Sequence, residues 1–530
     1  MKRLLLGAVL AFAVSACAPK EVNYAVNIVT QNCDASANPF EGVQFLRVKV
    51  TGNAMEPLTA TSAANVATPQ IKIPEIPAGL ARVVEVRAYD GDPNSGGRVV
   101  SVGKSLPFDV PDVVPEDLMG GAIKINVVLR KVNTFSPIVS AAAPTQCQQL
   151  RTARAGHTAT LLKNGKVFIA GGFNFKQGTE KRALADAEVF NPATGAFELA
   201  KSISITSQGA VYELPRAYHT ATLLPSGQVM LWGGETYTGG TNNTQAIIST
   251  ILFYDADVDD YGAIGPRMPA AIARSRHRAA VDANGKVLIV GGVTRKSSIV
   301  PVDEVEWLDP TTNLYKIVDG VTLPRLEPTV MPVKKGEFIA VAGGSDGSAM
   351  SNEIAFFKFN GTTFGRQSLS NPPRLMDPGR RAAAGALIRD GADLLVLGGY
   401  SDPMSVSPSS SSEVLNAASA TIGQGPDVRT ARGELCAVTM ADGTVLAVGG
   451  RTLEGAQPKS DATAVVITAA STGGVTSIGA PNLPKARYGH TCTALADGTV
   501  LVTGGINETT TGAMEILQDA YIYTPAPPAE

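Results

Sequence analysis

The sequence predicts an all-β chain: seven similar four-stranded sheets arranged around an axis, preceded by a small β-sandwich. Three observations predict this. A pair of glycines closes an apolar run at 171–172, 233–234, 291–292, 343–344, 398–399, 449–450 and 504–505, with successive pairs 51 to 62 residues apart. A turn glycine stands ahead of each pair, at Gly165, Gly227, Gly285, Gly336, Gly391, Gly443 and Gly498. Before the repeats, residues 22–131 alternate apolar and polar side chains, as half-buried strands do.

Each repeat opens with a hairpin. KNGK, ANGK and the two ADGT stretches place Asn-Gly or Asp-Gly between apolar runs, where a tight turn needs positive φ. The second half of the repeat is a strand ending in proline, then a turn and an aromatic strand: EVFNPATGAF (188–197), EWLDPTTNLY (306–315), YIYTPAP (521–527). One four-stranded sheet cannot cover both of its faces, so the repeats must pack on one another and close a ring. Residues 148–526 therefore resemble the kelch repeats of seven-bladed β-propellers. The outer-strand tryptophan of that family is replaced here by Phe197, Tyr315 or Phe364, and blades five and six lack a clear Asp-Pro turn. After Pro525 the chain offers only APPAE, which makes no paired strand. VNTFSPIVS (132–140), within the linker 132–147, is expected to close the last blade.

The N-terminus carries an address. MKRLLLGAVLAFAVSACAPK has Lys2 and Arg3, a short apolar stretch, and small residues before Cys17, the pattern of a secretory signal. Val14-Ser15-Ala16-Cys17 resembles the lipobox of bacterial lipoproteins, which implies cleavage over residues 1–17, a lipid on Cys17 and export to the outer membrane. Several acyl chains give stable anchoring where one does not. Cys33, Cys147, Cys436 and Cys492 then meet an oxidising compartment, and the three possible pairings stay open beside free buried thiols. VQFLRVKVTG (43–52), RVVEVRAYD (82–90), RVVSVGKSLPFDV (98–110) and AIKINVVLRKV (122–132) read as strands of a sandwich. This module looks like the immunoglobulin or fibronectin modules of exported proteins.

Two side-chain columns recur. His157, His219, His277 and His490 occupy one repeat position, held elsewhere by Pro328, Ala383 and Leu435. A position that accepts proline or leucine is architectural. Three residues earlier stands an arginine in every repeat: Arg154, Arg216, Arg274, Arg325, Arg380, Arg432 and Arg487. Pseudo-symmetry would set these seven in a ring at the channel mouth, suited to a carboxylate, sulfate or acidic peptide. In kelch propellers that bind acidic peptides, arginines at this position line the mouth, so the resemblance implies the same use here. Glu188, Glu306 and Glu353 on nearby strands could instead neutralise some of them. The loops after the glycine pairs, at 173–186, 235–245, 293–301 and 400–412, vary in length and fit a recognition surface.

A net charge of −2 gives no reason to expect nucleic acid. There is no GxSxG, HExxH or Walker-type phosphate loop, no Cys/His spacing for zinc, and no cofactor motif. The sequence therefore points to a non-enzymatic protein, membrane-bound through its lipid, that presents the loop and arginine end to an acidic protein or glycan. Two enzymatic rivals come from the kelch resemblance. A sialic-acid mutarotase-like isomerase would use arginines with Glu327 and Glu434 as proton carriers. A copper-radical oxidase would need two histidines, two tyrosines and a cysteine around the axis, with His490, Cys436 and Cys492 nearby.

Overall fold

A computed structural model of the chain describes residues 24–29, 33–34, 38–64, 76–112, 123–140, 142–176, 180–237, 245–263, 271–295, 298–376, 378–471 and 473–528. The signal segment with Cys17 lies outside the described residues. So do 177–179, 238–244 and 296–297, within three of the loops expected to form a recognition surface.

Among the described residues, seven antiparallel sheets of four or five strands follow one another along the chain. Six have four strands in sequence order, such as Thr220–Leu223, Val229–Trp232, Ile251–Asp255 and Asp260–Ala263. The second strand of each is a short, mainly apolar run (Val229–Trp232, Val287–Val290, Val445–Val448) that is buried throughout, save for Phe338 at the start of Phe338–Ala342, because neighbouring sheets cover both of its faces. Each first strand lies against the first strand of the next sheet, and Thr491–Ala494 of the seventh lies against Thr158–Leu161 of the first, so the series closes on itself.

The seventh sheet is assembled from both parts of the chain. Ala520–Thr524 pairs with Val500–Thr503 on one side and with Thr134–Ser140 on the other, Pro137 standing opposite Tyr521. Ala143–Gln148 adds a fifth strand at that edge. Ahead of the ring, Leu58–Ala63, Phe45–Thr51, Gly79–Tyr89, Val99–Lys104 and Arg130–Lys131 form one sheet in that order, with Phe108–Val110 also on Gly79–Tyr89. Tyr24–Val29 pairs in parallel with Ile123–Val128, and Val26, Val48, Val84, Val86 and Val127 of both units share one core. Two disulfides staple the assembly. Cys33–Cys147 ties this N-terminal unit to the seventh sheet, and Cys436–Cys492 ties the first strands of sheets six and seven.

The contact between sheets is polar as well as apolar. In all seven repeats the N–H of the second paired glycine donates to the carbonyl of the next sheet's column arginine, at 2.8 or 2.9 Å, from Gly172 to Arg216 round to Gly505 and Arg154. The side chain of that arginine turns back into its own sheet. Arg154 Nη1 donates to the Gly171 carbonyl at 2.7 Å, and Arg216, Arg274, Arg380 and Arg487 reach Gly233, Gly291, Gly398 and Gly504 in the same way. Only glycine fits: a Cβ on Gly171 (φ 60°) would lie 2.4 Å from the Arg216 carbonyl oxygen.

The column arginines are therefore not a ligand ring. Arg154, Arg216, Arg274, Arg432 and Arg487 are fully buried, while Arg325 and Arg380 are 9% and 5% exposed. Arg154 pairs with Glu188 at 2.6 Å, Arg274 with Glu306, Arg325 with Glu353 at 2.9 Å, and Arg380 with Glu413. Arg216 uses Thr250, Arg432 uses Thr463 and Asp461, and Arg487 faces Asp519. Recurrence had suggested a functional circle, but the guanidiniums are consumed by carbonyls and strand carboxylates inside the sheets.

Replacing Arg274 by methionine would strand Glu306 as an unpaired buried charge and is expected to cost about 3–5 kcal/mol. Arg216→Met leaves only carbonyls and a hydroxyl unpaired and is expected to cost about 1–3 kcal/mol. Urea unfolding of the two variants beside wild type checks both the size and the order.

Candidate functional site

Two residues beyond each column arginine the backbone turns left-handed in all seven repeats: Gly156, Tyr218, Arg276, Glu327, Ala382, Glu434 and Gly489, with φ between 49° and 61°. Hydrogen bonds run from repeat to repeat along this circle, Gly156 N–H to the Gly489 carbonyl at 3.0 Å, Tyr218 to Gly156 at 2.8 Å, Arg276 to Tyr218 at 3.0 Å, Ala382 to Glu327 at 3.0 Å and Glu434 to Ala382 at 2.9 Å. The conformation suits glycine, and holding a tyrosine, an arginine and two glutamates in it costs about 1–2 kcal/mol per residue. Strain of this kind concentrates where side chains must be aimed. Here all seven residues line one axial cavity of about 210 Å³, with His157, His219, His490 and Arg278 below them.

The cavity has two unlike halves. On one side stand the small Gly156 and Gly489 with Tyr218, backed by a cluster of Phe173, Tyr488 and Ile506. On the other stand the charged residues. Glu327 is held by Arg381 at 2.8 Å and by Arg276 at 3.4 Å. The Arg276 guanidinium also stacks 4.1 Å from the centre of the Tyr218 ring and lies 3.9 Å from Glu235. Glu235 is fixed by the hydroxyls of Tyr237 and Ser275, each donating at 2.6 Å.

Glu434 differs from Glu327. Among the described residues no arginine forms an ion pair with it; Tyr400 donates its hydroxyl at 3.4 Å. Burial, then the negative charge of Glu327, hold its carboxyl above the ordinary value, against the pull of Arg276, Arg451 and Arg381. Arg451 is engaged elsewhere, by a bidentate pair with Glu508 at 2.6 and 2.9 Å. Burial and the nearby carboxylates also raise the Tyr218 and Tyr400 hydroxyls, so both remain proton donors.

Three of the four column histidines are architectural. His219 Nε2 lies 3.0 Å from Thr158 Oγ1 and His277 Nε2 3.0 Å from Thr220 Oγ1, each reaching back to the preceding sheet; His157 Nε2 meets Thr491 and Thr503 at 3.1 Å. Burial keeps the imidazoles of His157, His219 and His277 well below the usual value and brings His490 down to about 3. Glu327 and Glu434, the proton carriers named for the isomerase alternative, are brought together. Tyr218, Arg276, Arg278, Arg381 and Tyr400 escaped sequence reasoning. For Tyr218 and Arg276 the one signal was a repeat column, two residues beyond the arginine, whose occupants range from glycine to large polar residues; Arg278, Arg381 and Tyr400 lie outside it.

No family model and no curated protein sequence matches the chain. Among solved structures it is similar to YjhT, at 14% identity over 62% of this chain and 99% of that one, with a TM-score of 0.44. It is also similar to a fungal alcohol oxidase "with catalytic diversity among the AA5 family, in complex with copper", at 14% identity over 74% of this chain and 76% of that one, with a TM-score of 0.52. The chain has a kelch-like β-fold.

The expectation of a non-enzyme is overturned. A solved structure of similar fold is an alcohol oxidase, and the axis carries two carboxylates in contrasting surroundings, the arrangement that acid–base chemistry needs. The oxidase's copper does not fit these residues. Cys436 and Cys492 are joined to each other, the imidazole Nε2 atoms of His157, His219 and His277 are held by threonines, and no group of three or more His, Cys, Asp or Glu among the described residues could hold a metal ion.

Ala382→Gly removes the left-handed penalty from a position that carries no polar group, and is expected to stabilise the protein by about 1 kcal/mol in urea unfolding. Glu434→Gln tests the raised carboxyl. The unfolded chain releases this proton near the ordinary value of 4.5, while the folded protein keeps it. The native carboxyl thus supports folding below that pH and loses its contribution as pH rises through the folded value. Unfolding midpoints are expected to match at pH 4 and to favour the glutamine variant increasingly as pH rises through the folded value.

Proposed function

We propose that the chain is a seven-bladed kelch-type propeller enzyme that moves protons on a small, carboxylate-bearing sugar in its axial cavity. The pairing of Glu434, whose carboxyl burial and the neighbouring Glu327 hold above the ordinary value, with Glu327, which Arg276 and Arg381 engage in ion pairs, carries this proposal. Arg276 and Arg278 face the cavity and supply positive charge for the substrate carboxylate. Tyr218 and the glycine side offer the flat, less polar wall against which a sugar ring rests.

The reaction that this geometry supports is opening and reclosing of a cyclic hemiketal. Glu434 donates its proton to the ring oxygen while Glu327 takes the proton of the anomeric hydroxyl. The bond between anomeric carbon and ring oxygen breaks, leaving a carbonyl. Rotation and reclosure, with both protons returned, give the other anomer. No redox partner and no metal enters.

We also propose that Cys17 carries a lipid that anchors the protein in the outer membrane, with the N-terminal immunoglobulin-like sandwich as spacer. Loss of detergent-phase partitioning in Cys17→Ser would accompany that anchor; unchanged partitioning would remove it.

Anomerisation of sialic acid, followed by NMR, is expected to run faster with wild type than in buffer, and Glu434→Gln to slow it by about 10²–10⁴-fold. The rate needs protonated Glu434, so it is expected to hold at low pH and fall as pH rises through the raised value. A wild-type rate equal to buffer would remove this substrate class.

A further inference from the structure

A second cavity, of about 220 Å³, lies where the N-terminal sheet meets the ring, at the end opposite the axial site. Its walls come from separate pieces of chain: Val102–Lys104 and Arg130 of the N-terminal sheet, the hairpin turns at Asp442 and Asp497 of sheets six and seven, and Thr524 at the end of the last strand with residues 525–528 after it. Prolines 525, 527 and 528, Ala441, Ala526 and Val102 make the lining largely apolar.

Arg130 is the anomaly in this lining. It is 5% exposed, yet its guanidinium has no hydrogen bond or ion pair among the described residues, and its Nε is enclosed without a partner. Thr524, also in the lining and 1% exposed, likewise has a hydroxyl without a partner among the described residues. The other charges at the cavity are spoken for. Lys104 pairs with Glu85 at 3.1 Å. Asp442 and Asp497 each accept two hydrogen bonds within their own turns, from Thr444 and Thr499. Asp497 attracts Arg130 through space, but burial dominates and pulls the guanidinium below its ordinary value. A buried cation with no bonded partner is costly, and buried polar groups are otherwise satisfied almost everywhere in proteins.

We propose that this junction cavity binds a compact organic carboxylate, its carboxylate on Arg130 and Thr524 and its short apolar body against Ala441, Pro525 and Pro527. A planar guanidinium matches a carboxylate, and the apolar walls select an anion with a hydrocarbon part over a bare inorganic one. Such a ligand touches the N-terminal sheet, two propeller turns and the C-terminal segment together, so its binding braces the junction and is separate from the axial chemistry.

The test uses the full-length protein at constant ionic strength, with butanoate and the isosteric neutral butanamide as probes. Butanoate is expected to raise the melting temperature and to shift the Arg130 Nε–Hε NMR signal, identified by its loss in Arg130→Met, whereas butanamide does neither. Arg130→Met is expected to weaken butanoate binding at least tenfold. Ala441→Leu, which fills the cavity and leaves Arg130 in place, is expected to weaken it too, which covers the case of Arg130→Met failing to fold. Equal responses to both probes, unchanged butanoate affinity in either variant, or no butanoate binding by wild type up to tens of millimolar would each overturn the proposal.

Discussion

The ring depends on a clasp between an arginine and two glycines. Within a sheet, strand ladders satisfy the backbone; between sheets, apolar faces alone would slide and rotate. The clasp removes that freedom. The second glycine's N–H crosses to the next sheet's arginine carbonyl in all seven repeats, and in five of them the arginine's side chain turns back to the first glycine's carbonyl within its own sheet. Strand carboxylates such as Glu188 and Glu306 then neutralise a buried charge that could not otherwise be tolerated. The glycine pair is required because backbone and imidazole approach it so closely that no Cβ fits.

Once the clasp is set, the residue two places further on is forced into a left-handed turn aimed at the axis. The scaffold thereby provides seven equivalent positions whose side chains converge, whatever those side chains are. Glycine at 156 and 489 and alanine at 382 leave space, while Tyr218, Arg276, Glu327 and Glu434 fill the rest with chemistry. The division of the cavity into a flat half and a charged half follows from Gly489, Gly156 and Tyr218 being neighbours around the ring and Arg276, Glu327 and Glu434 standing on the other side. The Glu434 carboxyl is raised because it sits deep, beside Glu327, whose arginines are already committed.

Legibility followed the same division. The β character and the repeat were plain in glycine pairs, turn glycines and apolar runs, because those patterns answer to local backbone needs. The arginine column was equally plain, yet its use was misjudged: recurrence shows that a position matters and says nothing about which way a side chain turns. Glu327 and Glu434 could be named from the sequence, being acids close to the column arginines. Arg276, Arg278 and Tyr218 could not, since each occurs once at its column and looks like ordinary variation. Arg381 and Tyr400 lie in different loops and reach Glu327 and Glu434 only through the ring.

By itself the sequence determined an all-β chain of repeating hairpins, because alternation, turn glycines and buried apolar runs act over a few residues. Tertiary structure alone decided that the arginines point inward, that the cysteines join as 33–147 and 436–492, and that carboxylates 107 residues apart share one cavity. The physical reason is ring closure. Desolvation and charge pairing depend on what the neighbouring sheet places against a side chain, and that neighbour is fixed only when the last sheet meets the first.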